Sequence, residues 1–403
     1  MFKLFLALLF LCVSGSVHAK RIAAKGATLR IGGQISPCFS YHSGKDLGQS
    51  MFGTVGSSNS RLFVWHNTRL PNGMSARGTL EMGFNINSTS HESPWNPKEN
   101  TIDIRKAYVS LLSERLGVFY FGKLKTATDD SAEQDCSYAA ASIPALIEGV
   151  SMHIANHNGF INFGSVHKNF DGDRANGVRY DTPIYKGMGL RFDLHNAIDP
   201  NRNNSSVVVP GIALFGKMKI LGHHCQRDGE IRFASGFSKK HSRLKHSTDQ
   251  YLDTNAMAWT NSFSCVLPCE VGFTVVYSRL FYDHDVQGSV NLKKHVPYYH
   301  FSKVTKWFRC GPNPLSLSFE YGASYNTLLA GPDAASTLPD FVGKATSAGI
   351  VLGYSIPALG IDAFLAYKRL AYSGSSQLLN DQGLEKVRFE PTNLFMIGMR
   401  VIF

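Results

Sequence analysis

Hydrophobic and polar residues alternate one by one in many segments of this chain, and the pattern continues to its last residue. The final segment, NLFMIGMRVIF, places Phe395, Ile397, Met399, Val401 and Phe403 on one side of an extended strand. The same alternation occurs in TLRIGGQIS, MSARGTLEMGF, TIDIRKAYVSLL, GMGLRFDLH, LSLSFEY and IDAFLAYK. A period of two predicts β-strands with one apolar face, so we expect an all-β fold.

Turn signals separate these segments and fall into two lengths. Short ones are Asn72-Gly73, Asn158-Gly159, CGPNP at 310–314 and PALG at 357–360, which predict tight hairpins. Long polar ones are NSTSHESPWNPKEN, DPNRNNSS and KKHSRLKHSTDQYLDTN. Short turns that alternate with long loops are typical of a transmembrane β-barrel with two unlike rims.

The first residues, MFKLFLALLFLCVSGSVHA, have the features of a secretory signal peptide. Lys3 precedes an apolar core, and Val17 and Ala19 stand at the spacing that a signal peptidase accepts. We therefore expect residues 1–19 to be removed and residues 20–403 to form one domain. No later stretch has 18 consecutive apolar residues, so an exported chain of this kind is a secreted soluble protein or an outer-membrane barrel.

Length distinguishes these two alternatives. Removing 19 of 403 residues leaves 384, which suits about 16 strands of about 10 residues with their turns and loops. A soluble sandwich, which the last strand alone would also fit, is rarely this large in one domain. We predict a transmembrane antiparallel β-barrel of about 16 strands.

Three segments resemble a known family. They are SNSRLFVWHNTRLPNGMSARGTLEMGF, IDIRKAYVSLLSERLGVFYFGKLKT and RANGVRYDTPIYKGMGLRF, and they are similar to strands of Gram-negative general porins of the trimeric, neisserial and proteobacterial type. The resemblance implies a homotrimer of 16-stranded barrels in the outer membrane, in contact with lipopolysaccharide. It also implies that the third external loop, Thr126 to Gly149 here, folds inward, and that Phe403 is the signal for the barrel assembly machinery.

Charged residues occupy the face of the predicted strands opposite the apolar one. This face must line the lumen, because a charge exposed to lipid is costly. Alternation places these arginines there: Arg30, Arg61, Arg77, Arg105, Arg191, Arg232 and Arg400. The inward carboxylates predicted in the same way are fewer: Glu81, Asp103, Asp193, Glu320 and Asp362. The same alternation puts Tyr108 on the outer face, beside Ile102 and Ile104.

We interpret Arg30, Arg61, Arg77 and Arg105 as the basic wall of a pore constriction. Lys123 stands where the resembling family has arginine, although alternation turns it outward unless a bulge intervenes. The acidic side would be the loop residues Asp129, Asp130, Glu133 and Asp135, which would create a transverse field. Each arginine could instead belong to a salt-bridged lattice that stiffens the wall.

This arrangement of charges predicts the function of the barrel. We predict passive diffusion of ions and small hydrophilic solutes, with a weak preference for anions because the formal charge is +11, or +10 without Lys3. The alternative is a structural or adhesive surface barrel with a plugged lumen. Neither Gly-x-Ser-x-Gly nor His-Glu-x-x-His is present, and we expect no enzymatic activity, cofactor or nucleic-acid partner.

Cysteine is the remaining candidate for chemistry. Six cysteines follow the signal segment: Cys38, Cys136, Cys225, Cys265, Cys269 and Cys310. Cys265 and Cys269, in CVLPC, could form a local disulfide, and the HHC segment at 223–225 could hold a metal. Neither has the paired ligand spacing of a zinc site, so we expect no metal.

Overall fold

We determined the architecture from a computed structural model. It describes residues 20–24, 27–44, 48–55, 59–71, 73–85, 101–135, 151–153, 160–167, 169–197, 207–220, 228–245, 251–282, 296–310, 313–329, 341–376, 386–388 and 390–403. The proposed signal segment and the loop residues Asn158, Gly159 and Gly149 lie outside this part of the chain.

The described chain is almost entirely β-sheet. Its strands are β1 Lys20–Ala24, β2 Ala27–Ile35, β3 Pro37–Ser43, β4 Gly48–Thr54, β5 Ser60–Arg69, β6 Ser75–Asn85, β7 Thr101–Ser113, β8 Gly117–Lys125, β9 Ser151–His153, β10 Phe160–Asn162, β11 Arg174–Asp181, β12 Met188–Ala197, β13 Val207–Ile220, β14 Gly229–Lys245, β15 Tyr251–Val266, β16 Val271–Tyr282, β17 Tyr298–Cys310, β18 Asn313–Leu329, β19 Phe341–Ile356, β20 Ile361–Ser376, β21 Lys386–Arg388 and β22 Thr392–Ile402. One helical turn, α1 (Phe163–Val166), and a 3-10 turn at Pro357–Leu359 complete the list. Within the described residues, no helix is both long and apolar enough to span a membrane.

Antiparallel pairing joins these strands into a closed barrel. The wall strands pair in chain order, with β2 beside β5, β3 beside β4 and β8 beside β11, and β22 pairs with β20, β2 and β3. The strands β9 and β10 form a separate two-stranded sheet. The strands β2 and β3 are two halves of one barrel strand, and so are β4 and β5, which gives 16 strands in the wall. The prediction of an all-β barrel with about 16 strands is confirmed.

The outer face of the barrel is apolar and exposed. Ile31, Leu80, Phe121 and Val178 are among its large side chains, and Ile102 reaches 73 % exposure. Their strand neighbours on the opposite face are mostly polar, as in Glu81 and Arg179. An apolar exterior that alternates with a polar interior is the arrangement that a barrel in a bilayer requires.

Short turns close one end of the barrel. At the predicted turn, of which Asn72 lies outside the described residues, the backbone N–H of Leu70 donates to the Met74 carbonyl at 2.8 Å, and Gly73 has φ +78°. At PALG, Gly360 has φ +63°, and a Cβ there would lie 2.6 Å from the Ile402 carbonyl oxygen. Glycine is therefore required at this turn.

A β-bulge corrects one sequence prediction. In the pairing of β6 with β7, Glu81 opposes Lys106 and Met82 opposes Ile104, so Arg105 is an extra residue. The extra residue reverses the alternation that follows it. Tyr108 therefore opposes the inward-facing Thr79 instead of lying beside Ile102 and Ile104, and the predicted outward orientation of Tyr108 was wrong.

The last residue of the chain is held by the first barrel strand. The Phe403 N–H donates to the Gly33 carbonyl at 3.0 Å, and the Gly33 N–H donates to the Phe403 carbonyl at 2.9 Å. A Cβ at residue 33 would lie 2.6 Å from the Phe403 ring, so the missing side chain makes room for the aromatic terminus.

Candidate pore constriction

One carboxylate, that of Glu81, forms ion pairs with three cations of the basic wall. Glu81 on β6 accepts from Arg61 Nη1 at 3.2 Å, from Arg105 Nε at 2.9 Å and from Lys106 Nζ at 2.6 Å. The bulge at Arg105 explains how two consecutive cations of β7 reach the same group. Three cations that share one carboxylate leave this part of the wall with a net positive charge.

The other two arginines of the predicted basic wall, Arg30 and Arg77, differ from Arg61 and Arg105 in their exposure and charge pairing. Both side chains are exposed, and neither forms an ion pair with another residue in the described part of the chain. Arg30 pairs across the strands with Trp65, and Arg77 pairs with Asn67. Their charges are therefore available to a solute, whereas that of Arg61 is partly neutralised.

Lys123 does not join this cluster. It pairs with Ala107 on one side and Asn176 on the other, in the same alternation as the exposed Phe121. The β-bulge that would have turned it inward is not found in the described pairing of β7 with β8. Alternation therefore places Lys123 on the outer face.

The connection between β8 and β11, residues 126–173, contacts the inner face of many strands. The backbone N–H of Ala127 donates to Asp193 of β12 at 3.0 Å, and Ser262 of β15 donates its hydroxyl to the Ser131 carbonyl at 2.7 Å. Thr274 of β16 donates to Asp135 Oδ1 at 3.1 Å. Ala132 packs with Tyr299 in a small buried cluster on the same side.

The acidic residues of this connection are paired at its contacts with the wall. Asp135 forms an ion pair with the buried Lys303 of β17, and Asp130 forms an ion pair with the half-buried Lys125. Asp129 lies 3.6 Å from the Lys125 ammonium. Glu133 accepts from the Asn169 side chain at 3.5 Å.

The pKa values of two of these carboxyls move in opposite directions. Burial raises the pKa of Asp129, and Lys125 offsets this only in part. Burial also raises the pKa of Asp130, but the attraction and hydrogen bond of Lys125 outweigh it, so its pKa is lowered. The ion pair between Asp130 and Lys125 therefore attaches the start of the connection to β8.

The end of the connection packs against the opposite part of the wall. Phe163 and Val166 of α1 are fully buried in a cluster with Val55, which follows β4, and with residues of β3, β19, β20 and β22: Cys38, Ala345, Val351, Phe364, Ala366, Leu370, Tyr372, Leu394 and Met396. The His167 ring nitrogens lie 3.1 Å from Ser324 Oγ and 3.2 Å from Ser347 Oγ. Burial lowers the pKa of His167 to about 3, with smaller contributions from Lys368 and His300.

Elsewhere the inner arginines belong to a lattice of ion pairs. Arg191 lies 3.9 Å from Asp181, and Arg400 donates to Asp362 at 2.5 Å. Arg232 pairs with Glu230. For these positions the lattice interpretation of the sequence is the one that fits the geometry.

Several inward residues escaped the sequence reasoning. Lys106 was hidden by the bulge, and Lys303 lies in a strand whose alternation was not recognised. Arg179 donates to the Lys125 carbonyl at 2.8 Å and lies over the Tyr120 ring at 4.3 Å. The alternation in NGVRYD, where Arg179 stands between Val178 and Tyr180, would have predicted that Arg179 points inward. No sequence signal pointed to His167.

The proposed CVLPC disulfide is wrong. Cys265 and Cys269 are both free, as is Cys38. The HHC segment and Cys136 lie outside the described residues. Among the residues that the structure describes, no group of three acidic, histidine or cysteine side chains could hold a metal ion.

Comparisons with known proteins agree with the barrel. A family model described as Gram-negative porin matches residues 6–214. No curated protein sequence matches the chain. Two similar solved structures are OmpT, an outer membrane protein of Vibrio cholerae (TM-score 0.57, 15 % identity, 96 % of this chain and 100 % of that chain), and an anion-selective porin from Comamonas acidovorans (0.58, 14 %, 94 % and 100 %). Salmonella typhi OmpF in complex with daunomycin is also similar (0.51, 12 %, 94 % and 100 %).

Proposed function

Because the chain belongs to the Gram-negative porin family, we propose that it forms a water-filled channel for passive diffusion of ions and small hydrophilic solutes. It is an outer-membrane β-barrel. The observation that carries the proposal is the inner face itself, where Arg30 and Arg77 are exposed and form no ion pair with another described residue. Exposed charges inside a closed barrel require water around them.

The β8–β11 connection is proposed to fold inward and to narrow this channel. Its first part contacts β12 and β15–β17, and its last part contacts β18 and β19 and packs with residues of β3, β20 and β22. These contacts run along the inner face from β12 to β22 and β3. We place the constriction between the connection and the wall of β2 and β5–β7.

A weak anion preference follows from the pairing of charges. The acidic residues Asp129, Asp130 and Asp135 neutralise lysines where the connection meets the wall, so their proposed role becomes attachment of the connection. The basic wall keeps its excess of positive charge. An electropositive constriction raises the local concentration of anions.

The comparisons also suggest how the chain assembles. One of the similar structures is the trimer form of Vibrio cholerae OmpT, and we propose a homotrimer in contact with lipopolysaccharide. We propose that residues 1–19 are a signal peptide and that Phe403 is read by the barrel assembly machinery. We also propose that the protein has no catalytic activity, in keeping with its family and fold.

A second candidate function is a structural or adhesive barrel with a plugged lumen. The burial of Phe163, Val166 and His167 against the inner wall favours it, because this packing resembles a protein core more than a wet pore.

Conductance in a planar lipid bilayer separates the two candidates. We expect stepwise currents from the refolded protein and an anion-favouring reversal potential in a salt gradient. Arg77→Glu should shift that potential toward cations, whereas Arg115→Glu, at an exposed turn, makes the same change of net charge outside the lumen and should not. Absence of steps from a folded trimer would favour the plugged barrel.

A further inference from the structure

An aromatic stack lies on the basic wall of the lumen. The rings of Phe63 and Trp65 on β5 are 4.2 Å apart at an interplanar angle of 30°. Both oppose inward residues: Phe63 pairs with Gly32 and Glu81, and Trp65 pairs with Arg30 and Thr79. Large apolar rings on an inner face cannot be explained by contact with lipid.

Glycine at position 32 makes room for this stack. A Cβ there would lie 2.5 Å from the Phe63 ring, so the ring lies across the bare backbone of β2. Phe63 in turn covers one face of Trp65. No other ring contact of Trp65 is found with the residues that the structure describes, and its side chain is half-buried. The indole ring therefore keeps part of its surface exposed on the inner face.

Cations surround the stack. Arg30, Trp65, Thr79 and Tyr108 form one row across β2, β5, β6 and β7. Beside this row lie Arg77 on one side and the cations bound to Glu81 on the other. Counting Arg30, Arg61, Arg77, Arg105 and Lys106 against Glu81 and Asp103 gives a local charge of +3 from the described side chains.

We propose that this wall binds organic anions that carry a flat aromatic ring, such as aromatic carboxylates, and favours their passage. The ring would stack on Trp65, and the carboxylate would pair with Arg30 or Arg77, which hold no ion pair with another described residue. Stacking and charge pairing together distinguish such a solute from chloride, which lacks the ring, and from neutral aromatics, which lack the charge. This inference rests on the proposed channel function and adds a solute class to it.

The test compares benzoate with cyclohexanecarboxylate, an anion of the same charge and similar size without an aromatic ring. In planar bilayers of the wild-type protein, we expect benzoate to block the KCl current at a concentration about two- to tenfold lower than cyclohexanecarboxylate. Trp65→Leu should abolish this difference. Trp259→Leu replaces a tryptophan that stacks on the exposed Phe237 of the outer face and should retain it.

The outcomes separate this inference from the proposed function. Equal block by the two anions in a conducting wild-type channel would overturn the inference and leave the channel intact. Persistence of the difference in Trp65→Leu would also overturn it. Absence of any KCl conductance from a folded trimer would instead refute the channel itself.

Discussion

Acid should loosen the β8–β11 connection through His167, and a single substitution should remove the effect. The imidazole is buried between Ser324 of β18 and Ser347 of β19, where burial lowers its pKa from 6.5 to about 3. Once the connection detaches, the ring meets water and its pKa returns to the ordinary value. Between these two pH values, only the detached form binds the extra proton, so lowering the pH favours detachment.

The magnitude follows from the size of the pKa difference. At pH 4 the solution is 2.5 units below the ordinary pKa, and each unit corresponds to about 1.4 kcal/mol, so attachment weakens by about 3 kcal/mol relative to neutral pH. That change corresponds to a factor of about 200 in the attachment equilibrium. Lys368 and His300 contribute positive charge nearby, which lowers the pKa of His167 further.

Single-channel recording between pH 7 and pH 4 checks this reasoning. We expect wild-type currents to become noisy and larger below about pH 5, as the inner connection detaches. His167→Gln can still hydrogen-bond to both serines but cannot titrate, so its currents should stay steady over the same range. His66→Gln, at an exposed histidine of β5, should behave like wild type. An unchanged acid response in His167→Gln would refute the role of His167.

Two further predictions concern the attachment of the same connection. Phe163→Ala removes a fully buried ring from the cluster around α1, and such truncations cost about 3–5 kcal/mol. We therefore expect noisy currents already at neutral pH, and quiet currents would contradict this packing role. Asp135→Asn removes the negative charge that faces Lys303, which is 2 % exposed, and should destabilise the protein by about 3 kcal/mol. Thermal unfolding should show a lower Tm, which adding Lys303→Met should partly restore, and an unchanged Tm in Asp135→Asn would show that the pair contributes little.

The barrel could be predicted from sequence because its determinants are local. Side chains alternate with period two along every strand, and hairpins such as that after Arg69 need only a few turn residues. This rule alone assigned the side chains of Arg61, Glu81 and Arg191 to the inner face. The rule failed at Arg105, where one extra residue reversed the orientation of Tyr108, because alternation contains no information about a bulge.

Only the tertiary structure decided which charges on the inner face are paired with one another and which remain available to a solute. Sequence reasoning gave the acidic residues of the connection and the inner arginines similar weight as pore residues. In the fold, Asp135 meets Lys303 across 168 positions of sequence, and Glu81 collects three cations from two other strands, while Arg30 and Arg77 have no such partner among the described residues. Electrostatic pairing depends on distances through space, and these distances are set by barrel closure and by the contacts of the β8–β11 connection.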